Sequence, residues 1–145
     1  GKDTMIHISG AQNPNLLSSQ KKAKQMYEEI GNRKRDVINV SRHTGFSIEQ
    51  CQIIKNYAFI DRHILSSGYK PFFPDFAMAS SWYRLAERDG NNIKAHDVLM
   101  LYHELYEIQL LISDPNMTQA TAHKLAEAKY NYAAACDAYY EHSMK

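Results

Sequence analysis

The sequence predicts an all-α protein, a compact single-domain bundle of about six helices around a central apolar helix near residues 94–112. Three observations predict it. Apolar residues recur at helical spacing in most segments, and Gly, Pro and capping residues interrupt them at short intervals. Strand-like alternation never exceeds about four residues, as at Met5 to Ile8.

Residues 1–15 (GKDTMIHISGAQNPN) are rich in Gly, Asn and Pro and read as an arm or linker, leaving 16–145 as the helical domain. A first helix is expected from about Ser18 to Ile30, with Leu17, Met26, Tyr27 and Ile30 inward and Lys21, Lys22 and Lys24 facing water. Arg33 to Arg42 mixes β-branched residues with a C-cap signal at Gly45 and is read as a short helix. Ser47 with Gln50 forms a capping-box pattern, and Ile48, Cys51, Ile54, Tyr57 and Ala58 carry that helix to about Ile64, before Ser66-Ser67-Gly68.

Gly68 to Pro74 is then an aromatic loop bounded by proline, and Asp75 caps a helix from about Phe76 to Arg88 with Met78, Trp82 and Leu85 as its stripe. Lys94 to Ile112 is apolar on most sides, as a buried central helix must be. A last long helix runs from Thr118 to about Glu141, burying Ala122, Leu125, Tyr132, Ala135, Cys136 and Tyr139.

The 145 residues suit one domain, and 44% hydrophobic with 23% charged residues is an ordinary globular composition. A chain of this size buries roughly 68–70% of its unfolded surface, so neither metal nor disulfide is needed for folding. A metal would be there for chemistry. Cys51 and Cys136 sit in apolar helical patterns and imply no disulfide framework. No apolar run is long enough to span a membrane, and the start lacks the basic-then-apolar order of a signal peptide. The opening at Gly1 without an initiator Met predicts a domain cut from a larger carrier polypeptide.

The net charge of +1 argues against a generic polyanion binder but hides a gradient. Residues 1–45 carry eight Lys or Arg against four acids, 46–90 carry five of each, and 91–145 carry four against seven. Such a gradient gives either a basic face beside an acidic pocket or two solvated surfaces that attract one another.

The sharpest chemical feature is His103-Glu104-Leu105-Tyr106-Glu107 inside the most apolar helix, since buried charges need partners. His103 and Glu107, four apart, share a face that His96 extends, and Glu104 lies about 100° round. A His and a carboxylate so spaced can ligate one divalent metal, with Glu104 as base. The pattern is H-E-x-x-E, whereas a zincin's second ligand is His, and an ion pair between His103 and Glu107 is the competing reading. Asp61-Arg62-His63 at a helix end offers a second histidine for acid–base work, against a simple dipole-matched charge pattern. Tyr69, Phe72, Phe73, Phe76 and Trp82 suit core packing better than base stacking. No Gly-rich phosphate loop, nucleophile elbow or C-x-x-C pair occurs, which excludes kinase, Rossmann and serine-hydrolase chemistry of those kinds.

Thr44-Gly45-Phe46-Ser47, Phe59-Ile60-Asp61-Arg62-His63, Phe73-Pro74-Asp75, Ser81-Trp82, Arg84-Leu85 and His103-Glu104-Leu105-Tyr106-Glu107 stand in an order that resembles helical C-terminal toxin domains of bacterial polymorphic toxins, and domains of some phage minor head proteins. The resemblance spans about residues 40–125. It implies an antibacterial effector of the contact-dependent growth inhibition or rearrangement-hot-spot kind, secreted or surface-delivered on a larger protein, acting in the target-cell cytoplasm and neutralised by a cognate immunity protein. It places the family's polar positions on Asp61, His63, Asp75, Trp82, Arg84, His103, Glu104 and Glu107.

Two functions follow. The first is an enzyme, a nuclease or metal-assisted hydrolase, with His63, His103, Glu104, Glu107, Asp61 and Arg84 as candidate catalytic residues. His103 and Glu107 are its candidate metal ligands, and Lys21, Lys22, Lys24, Arg33 and Arg35 its candidate phosphate contacts on RNA or DNA. The second is a non-catalytic helical module that docks a carrier or immunity protein.

Overall fold

The computed structural model describes residues 16–143. The expected arm at 1–15 and the side chain of Leu17 lie outside what is described. Seven α-helices, one π-turn and a two-stranded hairpin follow in the order α1 (Leu16–Asn32), α2 (Asp36–Thr44), α3 (Ile48–Lys55), the π-turn (Asn56–Ile60), β1 (Arg62–Leu65), β2 (Gly68–Pro71), α4 (Phe76–Ala86), α5 (Ala95–Ser113), α6 (Gln119–Lys129) and α7 (Tyr132–Ser143). The all-α bundle is as expected, with α5 at its centre, touching α3, α4, α6, α7 and the π-turn.

Local signals in the sequence set several ends. Gln50 N donates to Ser47 Oγ while Ser47 N donates to Gln50 Oε1, closing the capping box that starts α3. Asp75 Oδ1 accepts from Ala77 N and Met78 N at the start of α4. Gly45 takes φ +82° and closes α2 in the left-handed conformation a C-cap requires. The inward stripes of α1 and α4 meet in one core, where Ile30, Trp82, Leu85 and Leu101 are fully buried.

Two segments depart from expectation. The helix expected to reach Ile64 stops at Ile60, where Asp61 N donates to Asn56 O across five residues and widens the last turn. The chain then reverses through Ser66-Ser67, helped by Gly68 at φ +130°, and β2 pairs antiparallel with β1, Ile64 opposite Tyr69. Aromatic loop and helix end are thus one hairpin. The long C-terminal helix also breaks into two at Tyr130 and Asn131, where Asn131 Oδ1 caps α7 by accepting from Ala134 N. The break turns Leu125 and Tyr139 outward, so they are exposed while Ala122, Ala126, Tyr132 and Cys136 are buried.

Two buried ionic knots tie the bundle. Lys55 Nζ lies 2.9 Å from Asp36 Oδ1, whose second oxygen accepts from Trp82 Nε1 at 2.9 Å, joining α2, α3 and α4. Arg84 donates from two nitrogens to both oxygens of Asp97, at 2.8 and 2.7 Å, and Ser81 Oγ bridges Asp97 to the Tyr132 hydroxyl. This second knot fastens α7 to α4 and α5. Among the described residues no helix is long and apolar enough to cross a membrane.

Candidate metal centre

The central helix turns His103, Glu104 and Glu107 into the bundle, where all three are buried. His103 and Glu107, one turn apart, face α6, which supplies His123 and Gln119, while the π-turn supplies Tyr57 from another side. Three segments therefore converge on Glu107.

Its two carboxylate oxygens have separate surroundings. Glu107 Oε1 lies 3.3 Å from His103 Nε2 and 3.1 Å from His123 Nδ1. Glu107 Oε2 accepts from the Tyr57 hydroxyl and from Gln119 Nε2 at 3.2 Å. Each histidine is held from behind at its other nitrogen. His103 Nδ1 donates to the Tyr130 carbonyl at 3.0 Å, and His123 Nε2 donates to Glu127 Oε2 at 2.8 Å. Such outer contacts orient both rings with their other nitrogens toward Glu107, the arrangement found behind metal-bound histidines. The break at Tyr130 thereby acquires a local role, because its carbonyl, which also accepts from Tyr132 N, is the one that orients His103.

One ligand atom from each of His103, Glu107 and His123 lies within 4.8 Å of the others. Metal–ligand bonds of about 2.0–2.2 Å at tetrahedral angles place neighbouring donors about 3.4 Å apart, so the observed 3.1 and 3.3 Å separations need little adjustment. Two imidazoles and one carboxylate are a donor set suited to zinc and its first-row neighbours.

Glu104 completes the cluster. Its Oε2 lies 3.6 Å from His103 Nε2, and among the described residues its buried Oε1 has no hydrogen-bond partner. Burial and the neighbouring Glu107 charge push the Glu104 carboxyl up. Burial works the same way on Glu107, yet that carboxyl is held below the usual range, with hydrogen bonds from His103, His123 and Tyr57 among the causes. Burial opposes the His103 charge, yet the hydrogen bond to Glu107 and the charge of Glu104 outweigh it and raise that histidine. The two carboxyls, one turn apart on α5, are thus driven in opposite directions.

The other sequence candidates are distributed around this centre. His63 does not reach the ligand cluster. Its Nε2 bonds the Tyr57 carbonyl at 2.8 Å and its ring lies 4.6 Å from that of Tyr57, so it touches the centre only through Tyr57. Burial lowers the His63 imidazole. Asp61 is exposed at the end of the π-turn. Arg84 belongs to the Asp97 knot, and so does His96, whose Nε2 lies 3.4 Å from Asp97 Oδ1, so neither joins the His103 face. Of the proposed phosphate contacts, Lys21, Lys22, Lys24 and Arg35 are exposed. Arg33 instead pairs with Glu29 at 2.8 Å and lies over the Tyr83 ring.

Sequence reasoning missed His123. Its only local signal was Glu127 four residues later on the same helix face, the carboxylate that now orients it. Compared with protein-family models, curated proteins and solved structures, the chain matches none.

Proposed function

We propose that this chain is a metal-assisted hydrolase in which His103, Glu107 and His123 hold a divalent ion and Glu104 moves the proton. The observation that carries the reading is the convergence of two back-oriented imidazoles on one oxygen of Glu107, beside a buried Glu104 oxygen that has no partner among the described residues. His123 supplies the second imidazole that H-E-x-x-E alone lacks, giving the two-histidine, one-carboxylate set of many zinc hydrolases.

A divalent ion held by His103, Glu107 and His123 would supply Lewis-acid activation of a water beside Glu104. Glu104 takes one proton from that water, and the resulting hydroxide adds to the electrophilic atom of an ester. As the ester bond breaks, the leaving oxygen receives the same proton from Glu104, so ester and water become acid and alcohol. A carboxyl raised by burial suits both halves of that transfer. The effector role implied by the sequence resemblance belongs to the same proposal: a toxin domain acting in a target cell, with an immunity protein as its specific partner.

The test uses chelator-stripped protein on two activated esters, bis(p-nitrophenyl) phosphate and p-nitrophenyl acetate. Turnover of at least one should appear on adding zinc, manganese or cobalt and vanish in Glu104→Gln. Turnover indifferent to chelator, or retained in Glu104→Gln, would overturn the reading. The adjacent Ile64 and Tyr69 side chains, 84% and 66% exposed on the hairpin, favour a second reading as a docking module, which predicts no turnover at all.

A further inference from the structure

Resting on the hydrolytic reading, we infer that the cleft between α1 and the hairpin–α4 connection binds a nucleotide unit of single-stranded nucleic acid, and that the ester cleaved is a phosphodiester. The cleft encloses about 380 Å³, room for one base with its sugar and phosphate. Tyr27, Phe59, Phe72 and Phe73 line it, and the edge-on packing of Tyr27 on Phe59 and the contact of Phe59 with Trp82 fix these walls to the core. Phe73 keeps 40% of its surface exposed, an uncovered aromatic ring that an unstacked base can pack against.

The charges around this cleft select the ligand. Lys24 from α1 and Lys70 from β2 line it and are exposed, and Lys21 lies one turn before Lys24 on the same helix face. A strand whose base packs on Phe73 has its phosphates beside cations from two different elements. Glu28 also lines the cleft, and its carboxylate accepts only from N–H or O–H groups, which base edges and ribose carry. A duplex keeps its bases stacked and paired, so the fit is to a single strand.

One wall residue of the cleft packs against the surroundings of the candidate centre. Phe72, on its wall, stacks on His63 at 3.9 Å between centroids and meets the Tyr57 ring edge-on at 5.3 Å, and the Tyr57 hydroxyl donates to Glu107. The half-buried His63 ring thus sits between Phe72 on the cleft wall and Tyr57 beside the centre.

The experiment measures fluorescence anisotropy of short fluorescein-labelled oligouridylate and oligothymidylate with metal-free protein. Saturable binding that weakens with salt is expected. Phe73→Ala should weaken it about tenfold or more, while Lys24→Glu and Lys70→Glu should weaken it and flatten its salt dependence. No binding overturns the inference. Binding that ignores Phe73→Ala, or is matched by duplex of equal length, reduces the cleft to a charge effect and also overturns it. Because no metal is present, this outcome is separate from the zinc-dependent one: zinc-dependent ester turnover without oligonucleotide binding removes the subsite and leaves the hydrolase, and the converse removes the hydrolase alone.

Discussion

His123 Nδ1 sits 3.1 Å from Glu107 Oε1 although the two residues belong to different helices, and the opposite nitrogen of the same ring lies 2.8 Å from Glu127. This relay of carboxylate, imidazole and carboxylate is useful to a metal. An ion at this point would take the Nδ1 lone pair while Glu127 holds the ring from Nε2. Glu127 is therefore expected to matter to metal affinity without touching the ion. Glu127→Gln should weaken zinc binding by about 10- to 100-fold, read by competition with a chromophoric chelator. An unchanged affinity would mean that His123 is positioned by packing alone.

Metal and protons compete for the same atoms. Ligation requires neutral His103, and in the metal-free protein that histidine is raised by Glu107 and Glu104. The rise in melting temperature on adding zinc should accordingly be larger at pH 8 than at pH 5.5. Equal shifts at the two values would place the ion elsewhere.

Without metal, the His103–Glu107 pair has a pH signature of definite sign. A histidine raised on folding contributes stability that is complete below its unfolded value of 6.5 and is lost as pH climbs through its folded value. The stability difference between the protein and His103→Gln, from urea unfolding, should therefore be largest below about pH 6.5 and shrink above it. His63 and His96, both lowered by burial, act with the opposite sign, and they cancel in this difference. A difference that grows with pH would contradict the assigned charge of His103.

The Asp97 knot serves the fold. Arg84→Ala leaves Asp97 buried without its bidentate partner and should cost roughly 3–5 kcal/mol. Zinc affinity should remain unchanged, since neither residue contacts the ligand cluster. In the same way Leu101→Ala, at the fully buried middle of α5, should cost about 2–5 kcal/mol. Loss of zinc binding in a folded Arg84→Ala protein would show that the two clusters are one.

Much of this architecture is written in local chemistry. Ser47 with Gln50, Asp75 and Gly45 state helix ends through their own side chains or backbone freedom, and α5 declares its central place by being apolar on most sides. The hairpin is hidden because each strand has four residues, too few for alternation to stand out, and because Ile64 and Tyr69 turn apolar side chains outward. The break at Tyr130 has no Gly or Pro to announce it; Asn131 is its one local sign.

The candidate centre divides in the same manner. His103, Glu104 and Glu107 are legible as charges within an apolar helix. His123 and Tyr57 are not, because only the packing of α6 and the π-turn against α5 brings them to Glu107. His63, expected beside His103, is held instead by the Tyr57 carbonyl, a backbone group with no trace in residue identity.

The most direct test of the central claim is calorimetric titration of zinc into the chelator-stripped protein, run beside His123→Ala. The geometry predicts one ion per chain in the parent protein and loss of that binding in His123→Ala with an unchanged far-ultraviolet circular dichroism spectrum. Binding of equal strength in the variant, or none in the parent, would contradict a centre built from His103, Glu107 and His123.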